Sequence, residues 1–237
     1  MIRFMTTTEV KKSPNYFRVA WQGALAAGLC LGLPAGLLLW LILFRRINHS
    51  VFVELLINFL QANGLFSIYI LVVSSILWSY LLGRISGYRP WWRIAVASAV
   101  GILAAWFSPL SNIDGILYEY RPTLPVHLNY IGSMIGLIGS VTLFVGLAYG
   151  LILRSAKAAL ALGLTTSFVS VLSLLLTIWV FDTLGVRVGM GNLAMPRVTA
   201  AGLLTSAIMG GMVLGVGFSR FVWKERSQSL SQVQEGD

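Results

Sequence analysis

The chain has 237 residues, of which 57% are hydrophobic and only 11% are charged, and its mean hydropathy is +0.82. Because a soluble domain carries about 25% charged residues, this composition excludes an ordinary soluble protein and indicates an integral membrane protein. The net charge of +9 is attributed to membrane topology, and no nucleic acid partner is predicted. The single cysteine, Cys30, can form no disulfide within the chain.

Six apolar stretches are long enough to cross a bilayer, which needs about 20 residues for about 30 Å of hydrocarbon. They are residues 19–44, 65–82, 94–110, 130–153, 158–181 and 198–222. The sequence therefore predicts an all-α integral membrane protein, a bundle of six transmembrane helices. A loose cytoplasmic arm is expected at 1–18 and a disordered cytoplasmic tail at 223–237. The first stretch has no cleavage site after it and is expected to stay as a span.

The distribution of positive charge predicts that both termini are cytoplasmic. With that orientation, twelve Lys and Arg lie on inner segments and five on outer segments, as the positive-inside rule requires. We expect a multi-pass protein of a bacterial or archaeal cytoplasmic membrane. Trp78, Tyr80, Trp91 and Trp92 cluster near the predicted inner boundary, where aromatic side chains anchor membrane helices.

Small residues recur every four positions in several spans, which lets helix backbones approach closely. The candidate packing residues are Gly28, Gly32 and Gly36 in the first span, Gly132 and Gly136 in the fourth, and Ala207, Gly211 and Gly215 in the sixth. These stripes serve either contacts within the bundle or contacts with another subunit. Pro34 lies within the first stripe and is expected to kink that helix.

The central parts of the six spans contain no Asp, Glu, Lys, Arg or His. Ionisable residues within a membrane usually mark proton relays and ion paths, so this pattern argues against a proton-coupled pump and an intramembrane metalloprotease. No metal site is predicted. The hydroxyls of Thr165, Thr166, Ser170 and Ser173 are expected to bond to carbonyls of their own helix or to a neighbouring helix.

Three long segments are predicted on the outer face, at 45–64, 111–129 and 182–197, and functional groups concentrate on such loops. Residues 51–63 are expected to form an amphipathic helix, which either lies on the outer leaflet or docks a partner. The third segment either turns between two spans or forms a small β-hairpin. The candidate ligand- or partner-binding residues are Glu54, Asp114, Glu119, Tyr120, Arg121, His127, Arg187 and Asn192.

No cofactor is predicted for this chain. His127, just before the fourth span, is the candidate ligand if the protein holds a pigment or a haem. A surface histidine is the preferred interpretation.

Three functions remain open. The preferred one is a non-catalytic membrane subunit that packs within a larger complex through small-residue faces and outer loops, with lipids and other membrane subunits as partners. The alternative is a small-molecule transporter, or its substrate-binding component, with the ligand under the outer loops. Six spans with small residues such as Gly28 and Gly32 in the first resemble, in outline, the binding components of vitamin-uptake systems. The third and least favoured is an enzyme at the outer interface, because no nucleophile–base or metal set can be assembled for it.

Overall fold

The computed structural model describes residues 14–34, 36, 73–112, 126–184 and 194–234. Apart from short turns, these residues are helical, which confirms the predicted all-α class. Three helices are long and apolar enough to cross a membrane, with candidate spans at Met134–Ile152, Ala156–Thr183 and Ala200–Ser229. The shorter helix Trp91–Phe107 is also apolar.

The described α-helices, numbered in chain order, are α1 Tyr16–Ala27, α2 Ser75–Ser86, α3 Trp91–Phe107, α4 Val126–Ile152, α5 Ala156–Thr183 and α6 Ala194–Gln234. A π-helical turn, Gly28–Gly32, continues α1, and a 3-10 turn, Pro109–Asn112, follows α3. Each of the six predicted spans overlaps one of these helices. The expected amphipathic helix at 51–63 lies outside the described residues, and so does the Gly-Met-Gly-Asn centre of the possible β-hairpin, residues 189–192.

Local sequence accounts for where several helices begin and end. The side chain of Asn15 accepts a hydrogen bond from the Arg18 amide at 3.2 Å and caps α1. Ser155 caps α5 in the same way, accepting from the Ala158 amide at 3.1 Å. Gly87 ends α2 with a φ of 71°, a left-handed conformation that glycine adopts without strain.

The proline predicted to kink the first helix lies directly after a π-helical turn. Pro34 has no amide hydrogen, so it cannot bond to the carbonyl four residues earlier. Just before it, the Leu33 amide bonds to the carbonyl of Gly28, five residues back. The helix is therefore distorted near Pro34, and the distortion is the wider π-helical turn Gly28–Gly32.

The last helix extends well beyond the predicted end of the sixth span at residue 222. It continues to Gln234, through most of the segment 223–237 that the sequence predicts to be disordered. Seven of the twelve residues from 223 to 234 are Lys, Glu, Arg, Gln or Leu, which are good helix formers. A contact with the α2–α3 turn also holds it, because the Arg226 guanidinium donates to the Gly87 carbonyl.

Each described helix runs antiparallel to its neighbour in the chain. α5 packs along α4 and α6, α3 packs on α4 and α2, and α1 returns to lie along α6. Contacts between α1 and α2 are sparser among the described residues. The core lies between these helices, and its largest completely buried side chains are those of Leu82, Ile94, Leu162, Tyr149 and Phe218.

Candidate functional site

Most of the outer-face candidates fall in segments beyond the described ranges. These residues are Glu54, Asp114, Glu119, Tyr120, Arg121, Arg187 and Asn192. His127 is the second residue of α4, and only its backbone is described. The proposed pocket under the outer loops therefore stays a prediction, as does ligation of a pigment or haem by His127.

The small residues predicted for packing in the first and sixth spans meet each other. A Cβ added at Gly23 would lie 2.6 Å from the carbonyl oxygen of Gly211, so the two backbones are in direct contact. A Cβ on Gly32 would lie 3.0 Å from that of Ala207, and one on Gly36 would lie 3.3 Å from the Ala200 carbonyl oxygen. The faces of α1 and α6 thus close on one another inside the chain.

Two positions of these stripes are less tightly confined. A Cβ on Gly28 would meet only the Ile208 side chain, at 3.0 Å. One on Gly215 would lie 3.4 Å from the Gly23 Cα, which is ordinary van der Waals contact. In α4, Gly136 is buried and Gly132 is partly buried.

Other glycines close the α3–α4 and α4–α5 contacts. A Cβ on Gly101 would lie 2.7 Å from the Cα of Val145, and one on Gly146 would lie 2.7 Å from the Cα of Gly163. Both would strike backbone, which cannot rotate away. Glycines thus occupy the faces where these helices meet, and large apolar side chains lie on the outward faces.

A buried hydrogen-bonded cluster joins α2, α3 and α4. The Trp78 indole N–H donates to the Tyr149 hydroxyl at 2.8 Å, and the Tyr149 and Ser98 hydroxyls lie 2.6 Å apart. Ser98 donates to the Ile94 carbonyl at 2.8 Å, and Ser79 lies 3.3 Å from Ser98. All five residues are at most 3% exposed.

The number of hydroxyl protons determines which group donates each hydrogen bond in this cluster. Ser98 has one hydroxyl proton, and it is committed to the Ile94 carbonyl. The Tyr149 hydroxyl is therefore the donor to Ser98, and it accepts from Trp78. Such a chain of bonds in a low-dielectric interior is mutually strengthening. The cluster fixes three helices to one another without any charged group.

Aromatic packing extends this cluster to the last helix. The ring of Phe218 meets the ring of Tyr149 edge-on, with centroids 5.7 Å apart. It meets Tyr88, in the α2–α3 turn, in the same manner at 5.5 Å. The interior between α2, α3, α4 and α6 is filled with side chains at this level.

The sequence interpretation of Trp78 as an interface anchor is wrong. Its side chain is 3% exposed and bonded to Tyr149, whereas Trp92 on α3 is 56% exposed. Composition near a span end does not distinguish these two cases, because both residues lie within a few positions of the boundary. The available signal was Tyr149, a polar tip within an otherwise apolar stretch of the fourth span.

The predicted hydroxyl contacts of the fifth span are confirmed for most of the residues concerned. Ser173 donates to the Val169 carbonyl at 2.7 Å, and Thr165 donates to that of Ala161. Ser170 reaches across to the Ser206 carbonyl at 3.4 Å. The Thr166 hydroxyl has no hydrogen-bond partner among the described residues.

α5 and α6 are tied by further polar contacts. Ser206 returns a bond to the Ser170 carbonyl at 2.9 Å, and the hydroxyls of Thr177 and Thr205 lie 2.7 Å apart. These groups bond to each other and to backbone, so they serve helix packing.

A cleft with a volume of about 750 Å³ lies between α1 and α2. Arg18 and Arg84 lie at one end of its lining, and the described part of the chain contributes no carboxylate to that lining. The rest of its lining is mostly apolar and includes Ala26, Leu29 and Leu81. The cleft opens at the end of the helices that the charge distribution predicts to be cytoplasmic. No sequence pattern indicates this cleft, because Arg18 and Arg84 are 66 positions apart and belong to different spans.

The chain matches no protein-family model, no curated protein and no solved structure in the comparisons with known proteins.

Proposed function

We propose that this chain is a six-span protein of a bacterial or archaeal cytoplasmic membrane, with both termini in the cytoplasm, and a non-catalytic subunit of a larger membrane assembly. Its orientation is supported by the positive charge that collects at one end of the described helices. The residues concerned are Arg18, Arg84, Arg89, Arg93, Arg154, Lys157, Arg220, Lys224 and Arg226.

The filled interior is the observation that carries the subunit proposal. Leu82, Ile94, Tyr149 and Phe218 are all 0% exposed and occupy the space between α2, α3, α4 and α6. A transporter that carries its substrate between these helices needs a polar passage there. A tightly packed body with a hydrogen-bonded core suits a component that positions other proteins in the membrane.

Partner contacts are assigned to surfaces other than the small-residue stripes. Those of α1 and α6 face one another, so they are already occupied. We assign the contacts to the outer segments and to the large apolar side chains that face outward. On α5 these side chains recur every three or four residues, and they are Leu160, Leu164, Phe168, Leu172, Leu176 and Trp179.

The subunit proposal is tested by extracting the full chain in a mild detergent. The extract is separated on a native gel, and each band is identified by mass spectrometry. The proposal predicts a discrete species that contains other polypeptides in a fixed ratio to this chain. Replacing Leu164 and Phe168 with Ala, beside a matched Val96→Ala and Val100→Ala variant on the outward face of α3, then locates the contact. Isolation of the chain without any other polypeptide would refute the proposal.

The second candidate is a small-molecule-binding component of a transport system. The cleft between α1 and α2 favours it, because two cations and apolar walls together suit an amphipathic ligand. The ligand would then enter from the predicted cytoplasmic end and not beneath the outer loops. Saturable binding of a soluble organic anion by the purified chain would support this candidate over the first.

A further inference from the structure

The cleft between α1 and α2 has the polarity of a phospholipid. At one end it carries Arg18 and Arg84, whose guanidinium groups are positively charged and offer paired N–H donors to phosphate oxygens. Asn15 and Gln22 add carboxamide groups to the same wall. The described lining offers these two cations no carboxylate, so they repel each other, and a bound phosphodiester relieves that repulsion.

The length of the cleft also fits a lipid. It follows α1 from Asn15 to Leu29, a distance of about 21 Å at 1.5 Å per residue. One leaflet contributes about 15 Å of hydrocarbon. An acyl chain that begins below the two arginines can therefore lie along Ala26, Leu29 and Leu81 over the depth of its leaflet.

The position of the cleft gives it lateral access to the membrane. α1 and α2 contact each other sparsely among the described residues, whereas α1 packs closely on α6. Leu29 is 63% exposed, so one wall of the cleft faces the surroundings of the bundle. A lipid can thus enter sideways, with its headgroup at the end that carries the two arginines.

We propose that the cleft between α1 and α2 is a binding site for one anionic phospholipid of the inner leaflet, with its phosphate held by Arg18 and Arg84 and an acyl chain along the apolar walls. This site does not depend on whether the chain joins a larger assembly. A soluble phosphate ester would satisfy the same two arginines, and the test below separates these sources.

The test is a native mass spectrometric titration of the purified full chain in detergent. The probes are dioleoyl phosphatidylglycerol, dioleoyl phosphatidylcholine and soluble glycerol 1-phosphate. The wild type is expected to retain one phosphatidylglycerol at concentrations where phosphatidylcholine does not bind. Glycerol 1-phosphate is expected not to displace it, because it lacks the acyl chain that occupies the cleft.

The variant Arg18→Gln with Arg84→Gln is expected to bind phosphatidylglycerol about 30-fold more weakly, the factor for two cations near a membrane surface. Both side chains are exposed, so the fold should be retained. The variant Arg18→Lys with Arg84→Lys keeps both positive charges and should lose less affinity for phosphatidylglycerol. Arg93→Gln with Lys157→Gln removes two exposed charges from the same end, outside the cleft lining, and should bind as the wild type does.

Three results would overturn the proposal. If the two double Gln variants bind phosphatidylglycerol equally weakly, the lipid is attracted by the overall positive charge at that end of the helices and not by the cleft. Equal retention of phosphatidylglycerol and phosphatidylcholine would remove the role of the two arginines. Displacement by glycerol 1-phosphate at similar concentrations would assign the site to a soluble anion.

Discussion

Alanine substitutions at Gly211 and Gly215 are expected to have opposite effects, although the two residues lie one turn apart on the same face of α6. A Cβ at position 211 would strike the Cβ of Ala27 and lie 2.7 Å from the carbonyl oxygen of Gly23. To reach 3.4 Å from that oxygen alone, α1 and α6 must separate by at least about 0.7 Å, and the Ala27 contact is tighter still, so the substitution is an overpacking defect. A Cβ at position 215 meets nothing nearer than 3.4 Å.

The expected magnitude follows from these contacts. Overpacking costs about 1–3 kcal/mol, while alanine favours a helix over glycine by about 1 kcal/mol at both positions. The two variants should therefore differ by about 2 kcal/mol, which is about 4–8 °C in Tm for a chain of this size. Gly215→Ala is expected to be at least as stable as the wild type.

Thermal unfolding of the purified chain in mild detergent, followed by tryptophan fluorescence, measures this difference. Gly211→Ala should melt below the wild type and Gly215→Ala at or above it. Equal melting of the two variants, or a lower Tm for Gly215→Ala, would refute the packing of α1 on α6 described above.

Three smaller effects should be measurable in the same preparation. Tyr149→Phe leaves a buried indole N–H without its acceptor and should cost about 1–3 kcal/mol, whereas the exposed Tyr80→Phe should leave the Tm nearly unchanged; equal losses would contradict the cluster. Arg226→Gln removes the donor to the Gly87 carbonyl and should speed amide hydrogen exchange in the α2–α3 turn; unchanged exchange there would count against this contact. Ser206→Ala removes one interhelical bond and should cost about 0.6 kcal/mol, and a loss as large as that of Tyr149→Phe would be inconsistent with that role.

The helical class and the approximate position of each described helix could be read from the sequence, because long apolar runs have few structural solutions in a membrane. The interhelical use of Ser170 was also predictable, since a hydroxyl in an apolar helix must find a carbonyl or another hydroxyl. The partners of the glycine stripes were not predictable. Spacing shows that Gly32 can support a close approach, but only the fold shows that Ala207 fills the opposite position.

Three features depended on contacts that no local pattern encodes. Trp78 is bonded to a tyrosine 71 residues away, so its burial could not be inferred from its distance to the span end. Helix α6 continues past residue 222 with the support of a contact from Arg226 to the distant α2–α3 turn. The lining of the cleft includes Arg18 and Arg84 from two different helices, and charge counts alone assign both residues to topology.

The central claim is that the small-residue faces of α1 and α6 pack within one chain and do not join two copies or two subunits. Disulfide trapping of Gly32→Cys with Ala207→Cys, in a Cys30→Ala background, tests it most directly. The two Cβ positions lie 3.0 Å apart, close to the roughly 3.5–4.5 Å of a disulfide. Oxidation in the membrane is predicted to give a cross-linked single chain with altered mobility in a denaturing gel. A covalent dimer, or no cross-link at all, would contradict the account.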